Sequence, residues 1–338
     1  EFKQAIDLRL NDYLFWLHLG FTNNKLKDFE KAKTAYEKSI ELAPNYFQPR
    51  QYLGFLYLRQ NKPKQAFTYL SQAVAIKPKL LPEVLQLAYQ IFAGNPIAIE
   101  NALQLNSVEA KKEMASFFIK NNIVSDKTVA FLTSNELGDG GKNQFINRLI
   151  ELKNYKLAFS IWTSKDKNKE VRQSLDKNLM LDGDFENSIS TDEVGFGWQI
   201  SNEPNINLKL DNKKPYSEAA TLQIVFKGKS NATQPIISQL IIVKPNQQYK
   251  LTFASRAEEL VSGGLPIITL VDADSGNLFG QSTPLSSSNT QWQKYTIDFK
   301  TANQTQALII KIQRQNCQEN PCPVFGNLWL DEFNLREF

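Results

Sequence analysis

Along residues 13–164 apolar side chains recur every three or four positions, and beyond residue 178 they recur every second position. The first period is that of a helix with one buried stripe, the second that of a strand with one buried face. The helical part also repeats at a longer step. Leu19 and Leu53, Gly20 and Gly54, Ala32 and Ala66, and Pro44 and Pro78 each lie 34 residues apart. A unit of that length is a pair of antiparallel helices, which cannot bury its apolar face alone and stacks on copies of itself. Gly20, Ala32, Gly54 and Ala66 let paired helices approach closely, and Pro44 and Pro78 end the second helix of each unit. Residues 13–44 and 47–78 are the two clear copies. A helix over about Pro82–Ala93 opens a third, and Gly94-Asn95-Pro96 breaks it. Ile97–Leu105, Val108–Lys120 and Thr128–Leu132 predict shorter helices, and Gly138–Gly141 predicts a loop. Lys153–Trp162 then restates Lys27–Tyr36, with Ala158 for Ala32 and Trp162 for Tyr36. The whole of 1–164 reads as an α-solenoid with degenerate middle repeats.

Residues 165–178 are highly charged and predict a linker. Beyond them Thr221–Phe226, Ile236–Val243, Tyr249–Ala257, Ile267–Asp272, Trp292–Phe299, Ala307–Gln313 and Asn327–Leu335 are strand candidates separated by Gly, Pro, Asn and Ser turns. Seven or eight short strands without an intervening helix predict an antiparallel β-sandwich over 179–338. The expected fold class is therefore multidomain, an N-terminal α-solenoid followed by an all-β sandwich.

The first half resembles the tetratricopeptide repeats, matching their period and their small and large positions in turn. The second half resembles the jelly-roll carbohydrate-binding modules of families 4 and 9, within the galactose-binding-like sandwiches. The residues that carry this likeness are the opening Asn178–Glu186, Gly197-Trp198, Pro245–Arg256, Trp292–Phe299 and the closing Leu328–Leu335. The pairing resembles bacterial proteins of exopolysaccharide export and surface anchoring. It implies an exported, periplasmic or cell-surface adaptor without enzymatic activity. A protein partner is expected in the solenoid groove and a polysaccharide on the sandwich. Two alternatives stand beside it: the soluble portion of a larger membrane-bound polysaccharide ligase or glycosyl-transferring enzyme, and a structural spacer with no glycan site. The chain begins at Glu1 rather than Met, so membrane contact is expected only through an upstream signal peptide or anchor.

Composition narrows the chemistry. The chain holds one histidine, His18, in a repeat helix, which excludes a Ser-His-Asp triad and a histidine-based metal site. Gly228-Lys229-Ser230 lacks the rest of a phosphate loop. Net charge is +4, divided as +8 over residues 1–177 and −4 over 178–338. Lys25, Lys27, Lys31, Lys33 and Lys38 fall on polar helix faces, so no dense basic stripe points to nucleic acid. No apolar run is long enough to span a membrane. Cys317 and Cys322 are the only cysteines. Their spacing allows a disulfide, two free thiols or, with further ligands, zinc; the disulfide is the expectation and fits an oxidising compartment.

Sugar sites stack an aromatic face on the ring and surround it with planar hydrogen-bonding groups. Trp292 and Trp329 sit inside apolar strand runs and read as core. Trp198, after Gly-Phe-Gly, and Tyr216, on a loop, are the candidate platforms. Arg256 and Glu258 alternate with core residues along Tyr249–Glu258, and Gln239 and Gln313 are expected on neighbouring strands of the same face. Asp184, Glu186 and Asp331 are expected to gather where the first and last strands meet, where related modules hold a structural Ca2+; no cofactor is otherwise required. In the tetratricopeptide alignment Leu14, Leu17, Phe21, Asn24, Gln48, Gln51, Phe55 and Leu58 face the groove. Phe21 and Phe55, 34 apart, stand where carboxylate-binding grooves carry Lys and Asn. An apolar partner segment, or another part of this chain, would lie there.

Overall fold

The computed structural model describes residues 11–165, 178–187, 189, 194–285, 290–317 and 321–338. The chain divides into two compact units, Glu1–Leu137 and Gly138–Phe338. The division falls ahead of the expected 165–178 linker, of which residues 166–177 lie outside the described residues. Among the described residues no helix is long and apolar enough to cross a membrane.

The first unit is all helical: α1 (Tyr13–Lys25), α2 (Phe29–Leu42), α3 (Phe47–Arg59), α4 (Pro63–Ile76), α5 (Leu81–Ile91), α6 (Pro96–Leu103), α7 (Val108–Lys120) and α8 (Asp126–Thr133). Side chains of Asp12, Asp28, Asn95, Ser107 and Ser125 accept N–H groups of the first turns of α1, α2, α6, α7 and α8. This is ordinary N-capping of groups the helix leaves unpaired. The 34-residue step is physical. A Cβ on Gly20 would lie 2.5 Å from the Tyr36 ring, and one on Gly54 would lie 2.8 Å from Leu70. Ala32 and Ala66 are wholly buried at the same helix crossings. The turns repeat as well. Lys27 and Asn61 both take the left-handed conformation, and the next N–H, of Asp28 and Lys62, bonds the carbonyl five residues back.

The same turn recurs at Ala93 and Asn122, and the second unit opens with a further copy of that hairpin, α9 (Gly138–Glu151) and α10 (Tyr155–Thr163). Lys153 is left-handed, and the Asn154 N–H reaches the Leu149 carbonyl. Gly138–Gly141, expected as a loop, is instead the first turn of α9. Its poor intrinsic helix propensity is overridden by burial of Phe145, Ile146 and Leu149 one to three turns on. The hairpin packs on the β-sandwich. Phe159 meets Phe196 edge-on at 4.9 Å between ring centres, and the Tyr155 hydroxyl donates to Asp274 at 2.6 Å. Gly195 (φ +102°) lies against Trp162, where a side chain would collide with the indole.

Among the described residues the sandwich holds ten strands: β1 (Gln199–Ile200), β2 (Ile206–Asp211), β3 (Thr221–Ser230), β4 (Ile237–Ile242), β5 (Gln248–Ser262), β6 (Pro266–Asp272), β7 (Leu278–Gln281), β8 (Gln293–Lys300), β9 (Ala307–Arg314) and β10 (Cys322–Glu337). They form two antiparallel five-stranded sheets, β1-β4-β9-β6-β7 and β2-β3-β10-β5-β8. The facing sides bury one core that includes Leu222, Ile224, Leu251, Phe253, Ile268, Leu270, Ile310, Leu328, Leu330 and Phe333.

One buried guanidinium joins the sheets at one end. Arg314 of β9 is 2% exposed. It donates to Ser230 Oγ of β3, Ser262 Oγ of β5, Gly264 O, and the carbonyls of Cys322 and Pro323 on β10, all within 3.1 Å. Its Nη2 also lies 2.8 Å from Cys322 Sγ. Burial pulls the Arg314 pKa down from its ordinary value. Cys322 is joined to Cys317 with Cα atoms 5.9 Å apart.

Two outcomes are expected. Gly20→Val should destabilise the helical unit by about 1–3 kcal/mol through overpacking against Tyr36, read as an earlier urea midpoint in far-UV circular dichroism. Unreduced protein should take up no alkylating agent by intact mass, and reduction should expose two thiols. Breaking so short a loop should cost about 2 kcal/mol of sandwich stability.

Candidate functional site

The site lies on the outward face of the sheet β2-β3-β10-β5-β8, and strand register builds it. Lys209 pairs with Gln223, Gln223 with Trp329, and Trp329 with Arg256. Directly opposed residues share a face, and neighbours along a strand alternate. Since Leu222, Ile224, Leu328 and Leu330 point into the core, Lys209, Gln223, Trp329 and Arg256 make one outward rung. Trp292, immediately before β8, continues it, because Gln293 opposes Ser255.

On that rung the Arg256 guanidinium is 3.8 Å from the Trp329 ring centre and 5.5 Å from that of Trp292. Arg256 is 5% exposed. Its Nη1 holds Glu258 at 2.6 Å, and its buried Nε–H has no acceptor. The Trp329 indole N–H donates to Asp211 Oδ2 at 2.8 Å. Burial alone would push the Asp211 carboxyl up. The Trp329 and Lys213 N–H donors and the Lys209 and Arg256 charges outweigh it and hold that carboxyl below the usual range.

The loop between β2 and β3 carries Tyr216 beside this rung. Tyr216 meets Trp292 edge-on at 5.5 Å, and the Lys294 ammonium lies 5.4 Å from the Tyr216 ring centre. Two carboxylates fasten the loop by its backbone. Asp331, wholly buried, accepts the N–H groups of Tyr216 and Ser217 and that of Glu332. Glu186 accepts those of Ala219 and Ala220 at 2.9 Å each. Burial pushes the Asp331 carboxyl up, and the donors offset only part of that.

This placement revises several sequence-based assignments. Trp198, expected as a platform, is 5% exposed, stacks on Phe185 at 5.2 Å and donates to the Asp182 carbonyl. It is core, because Phe185 and Phe333 meet around it. Trp329, expected as core, is buried at 5% exposure, although it packs against Arg256 on the outward side of its sheet rather than between the sheets; Trp292, also expected as core, is only partly buried beside Arg256. Gln239 lies in the other sheet, wholly buried, with its amide bonded to both the N–H and the carbonyl of Leu181. Gln313, on β9, is in that other sheet too. The structure thus brings together Tyr216, Arg256 and Glu258 and leaves Trp198, Gln239 and Gln313 apart. Gln223, Asp211 and Lys294 were missed. Alternation along β3 and β8 carries the signal for Gln223 and Lys294, whereas β2 is too polar to be read as a strand.

Among the described residues no group of three His, Cys, Asp or Glu side chains is placed to hold a metal. Glu186 and Asp331 face backbone donors rather than converging with Asp184, so these three carboxylates do not fit a calcium ion. In the helical unit Leu14, Phe21 and Phe55 are exposed in line, while Leu17 is buried and Leu58 packs into the core. Phe21 lies edge-on to Tyr52 at 6.1 Å with the Lys25 ammonium 4.6 Å above it. Asn24 accepts from Arg59 at 2.7 Å, Gln51 is half-buried, and the buried Gln48 Oε1 has no donor.

Residues 13–46 and 35–68 each match a model of the tetratricopeptide repeat. The N-terminal region carries tetratricopeptide repeats. No curated protein matches the chain. The two-sheet sandwich resembles solved carbohydrate-binding modules. One is a family 4 module, 11% identical, covering 47% of this chain and 99% of that one with a TM-score of 0.35. Another is a family 22 xylan-binding domain from Paenibacillus barcinonensis, 17% identical over 48% of this chain and 95% of that one, TM-score 0.33. A third is a family 61 module solved with β-1,4-galactotriose, 13% identical over 48% and 99%, TM-score 0.34.

The Asp211 charge should make the rung acid-sensitive. A carboxyl held low in the folded state stabilises above its unfolded pKa, and that contribution is lost as pH falls through the depressed folded value. Wild type should therefore melt above Asp211→Asn at about pH 6, and the gap should close toward about pH 2.5. A gap unchanged with pH would show that the Asp211 charge does not hold the rung.

Proposed function

We propose that this protein is a non-enzymatic adaptor, whose repeats engage a protein partner and whose sandwich binds a polysaccharide across the outward rung. The observation that carries the reading is the Tyr216–Trp292–Arg256–Trp329 cluster. Tyr216 and Trp292 offer partly exposed aromatic rings, the apolar surface that sugar C–H faces require, and the buried Trp329 supports Arg256 between them. Around the rings lie an amide, a carboxylate and a guanidinium (Gln223, Glu258 and Arg256) that pair with hydroxyls. The rings are held from below, Trp329 by Asp211 and the Tyr216 loop by Asp331, so little side-chain entropy is lost on binding.

The exposed line Leu14–Phe21–Phe55 supports the protein-binding half of the reading. The Cys317–Cys322 bond supports an exported setting, since disulfides persist in oxidising compartments. Exopolysaccharide assembly or surface anchoring is the role that best unites these parts.

An open face binds sugars weakly, with a dissociation constant on the order of 10 µM to 1 mM, about −4 to −7 kcal/mol. Trp292→Ala should weaken binding by about tenfold, equivalent to about 1.4 kcal/mol, while leaving the melting temperature nearly unchanged because Trp292 is half-exposed. Affinity electrophoresis against xylan, β-glucan and polygalacturonate reads both quantities side by side. Failure of all three to retard the wild-type protein would remove the glycan half of the proposal.

A further inference from the structure

We infer that the sugar taken by this face is anionic, a carboxylate-bearing glycan; the inference rests on the glycan-binding reading above. The first observation is the state of Arg256. Its guanidinium lies 3.8 Å from the Trp329 ring centre and 5.5 Å from that of Trp292, and a planar guanidinium hydrogen-bonds only through its edges. Glu258 takes Nη1 at 2.6 Å. Nε, buried in a residue only 5% exposed, has no acceptor. A buried donor without an acceptor is costly, and most folded structures avoid it. Nε and its neighbour Nη2 form the side-on fork of the guanidinium, whose two parallel N–H bonds match the two oxygens of a carboxylate.

The second observation is the charge around that fork. Three acids of the face, Asp331, Asp211 and Glu258, are already engaged, and Glu332 is exposed. Asp331 is held by the Tyr216, Ser217 and Glu332 N–H groups, Asp211 by Trp329 and Lys213, and Glu258 by Arg256. The lysines are less tightly held: Lys209 on the rung, Lys213 and Lys214 in the Tyr216 loop and Lys294 beside the Tyr216 ring make no close ion pair among the described residues, and only the Lys209 charge near Asp211 and the Glu332 charge near Lys294 partly offset them. A neutral sugar would satisfy the Nε–H with a hydroxyl and leave the surplus of positive charge around the fork unanswered. A carboxylate serves both. Trp329 is pinned to Asp211, whereas Trp292 is half-exposed and lies outside the strand, so Trp292 is the ring that yields to admit the oxygen. Side-chain shifts of this size are common on binding.

The test titrates the full chain with polygalacturonate, with the same polymer after its carboxyl groups are reduced to alcohols, and with cellohexaose, following tryptophan fluorescence. Polygalacturonate should bind at least about tenfold tighter than either neutral ligand, a difference of about 1.4 kcal/mol. The advantage should shrink as salt is raised from about 0.02 to 0.5 M. Arg256→Met, which keeps the apolar stem between the rings, should abolish the preference. Lys294→Gln, a change at an exposed position that leaves folding intact, should reduce it several-fold. Equal binding of acidic and reduced polymer, dependent on Trp292, would overturn the inference and leave the adaptor reading standing. An acid preference unchanged in folded Lys294→Gln and Arg256→Met would also overturn it. Binding of none of the three ligands would defeat both.

Discussion

The alternation of the final strand, reset once by a bulge, is the constraint on which the sandwich and its face depend. β10 pairs with β3 on one side and β5 on the other, so it occupies the centre of its sheet. Along it Leu328, Leu330 and Phe333 point into the core, while Trp329 and Asp331 point outward. The change of phase between Asp331 and Phe333 is absorbed at Glu332, which takes a left-handed conformation where the pairing with β5 shifts register. Such a bulge keeps both Asp331 outside and Phe333 inside. Without it one of them would be on the wrong side of the sheet. The loop clasp and the core would then compete for the same register.

The helical hairpin α9–α10 shows how one repeat element serves a second purpose. Its turn has the same left-handed residue and the same backbone bond as the turns after α1 and α3. Its aromatic stripe, Tyr155, Phe159 and Trp162, is received by Phe196, Gly195 and Asp274 of the sandwich unit. The apolar side of the hairpin is thereby buried within its own compact unit, as the repeat principle requires of any such pair.

Much of the architecture was legible because it rests on spacing. The 34-residue step needs only Gly20, Gly54, Ala32 and Ala66 at fixed intervals, and long strands such as β5 and β9 announce themselves by alternation. The site was less legible because alternation says which residues share a face without saying which face is wet. Leu328, Trp329 and Leu330 are all apolar, so either phase of β10 satisfied the pattern, and nothing in it tells that Trp329, buried as expected, packs on Arg256 outside the sheet while Trp292 is only partly covered. Trp198 followed a glycine-rich turn and read as exposed, yet Phe185 and Phe333, distant in sequence, close over it. Gln239 and Arg256 alternate correctly on their own strands, but strand order places them in opposite sheets. The acids Glu186 and Asp331 sit near the junction expected of them, and their oxygens are turned to backbone N–H groups of a loop that only the fold brings near.

The central position of β10 also sets a timetable. β3 and β5 are made early and lie side by side only through a strand that a ribosome delivers about seventy residues after β5 begins. Until then each holds an open edge, and the apolar faces that end up opposed have no lid. Pairings of such long sequence separation are slow, and half-made sheets are prone to join the wrong chain. The insertion of one strand between two waiting edges is thus the event that commits the polypeptide.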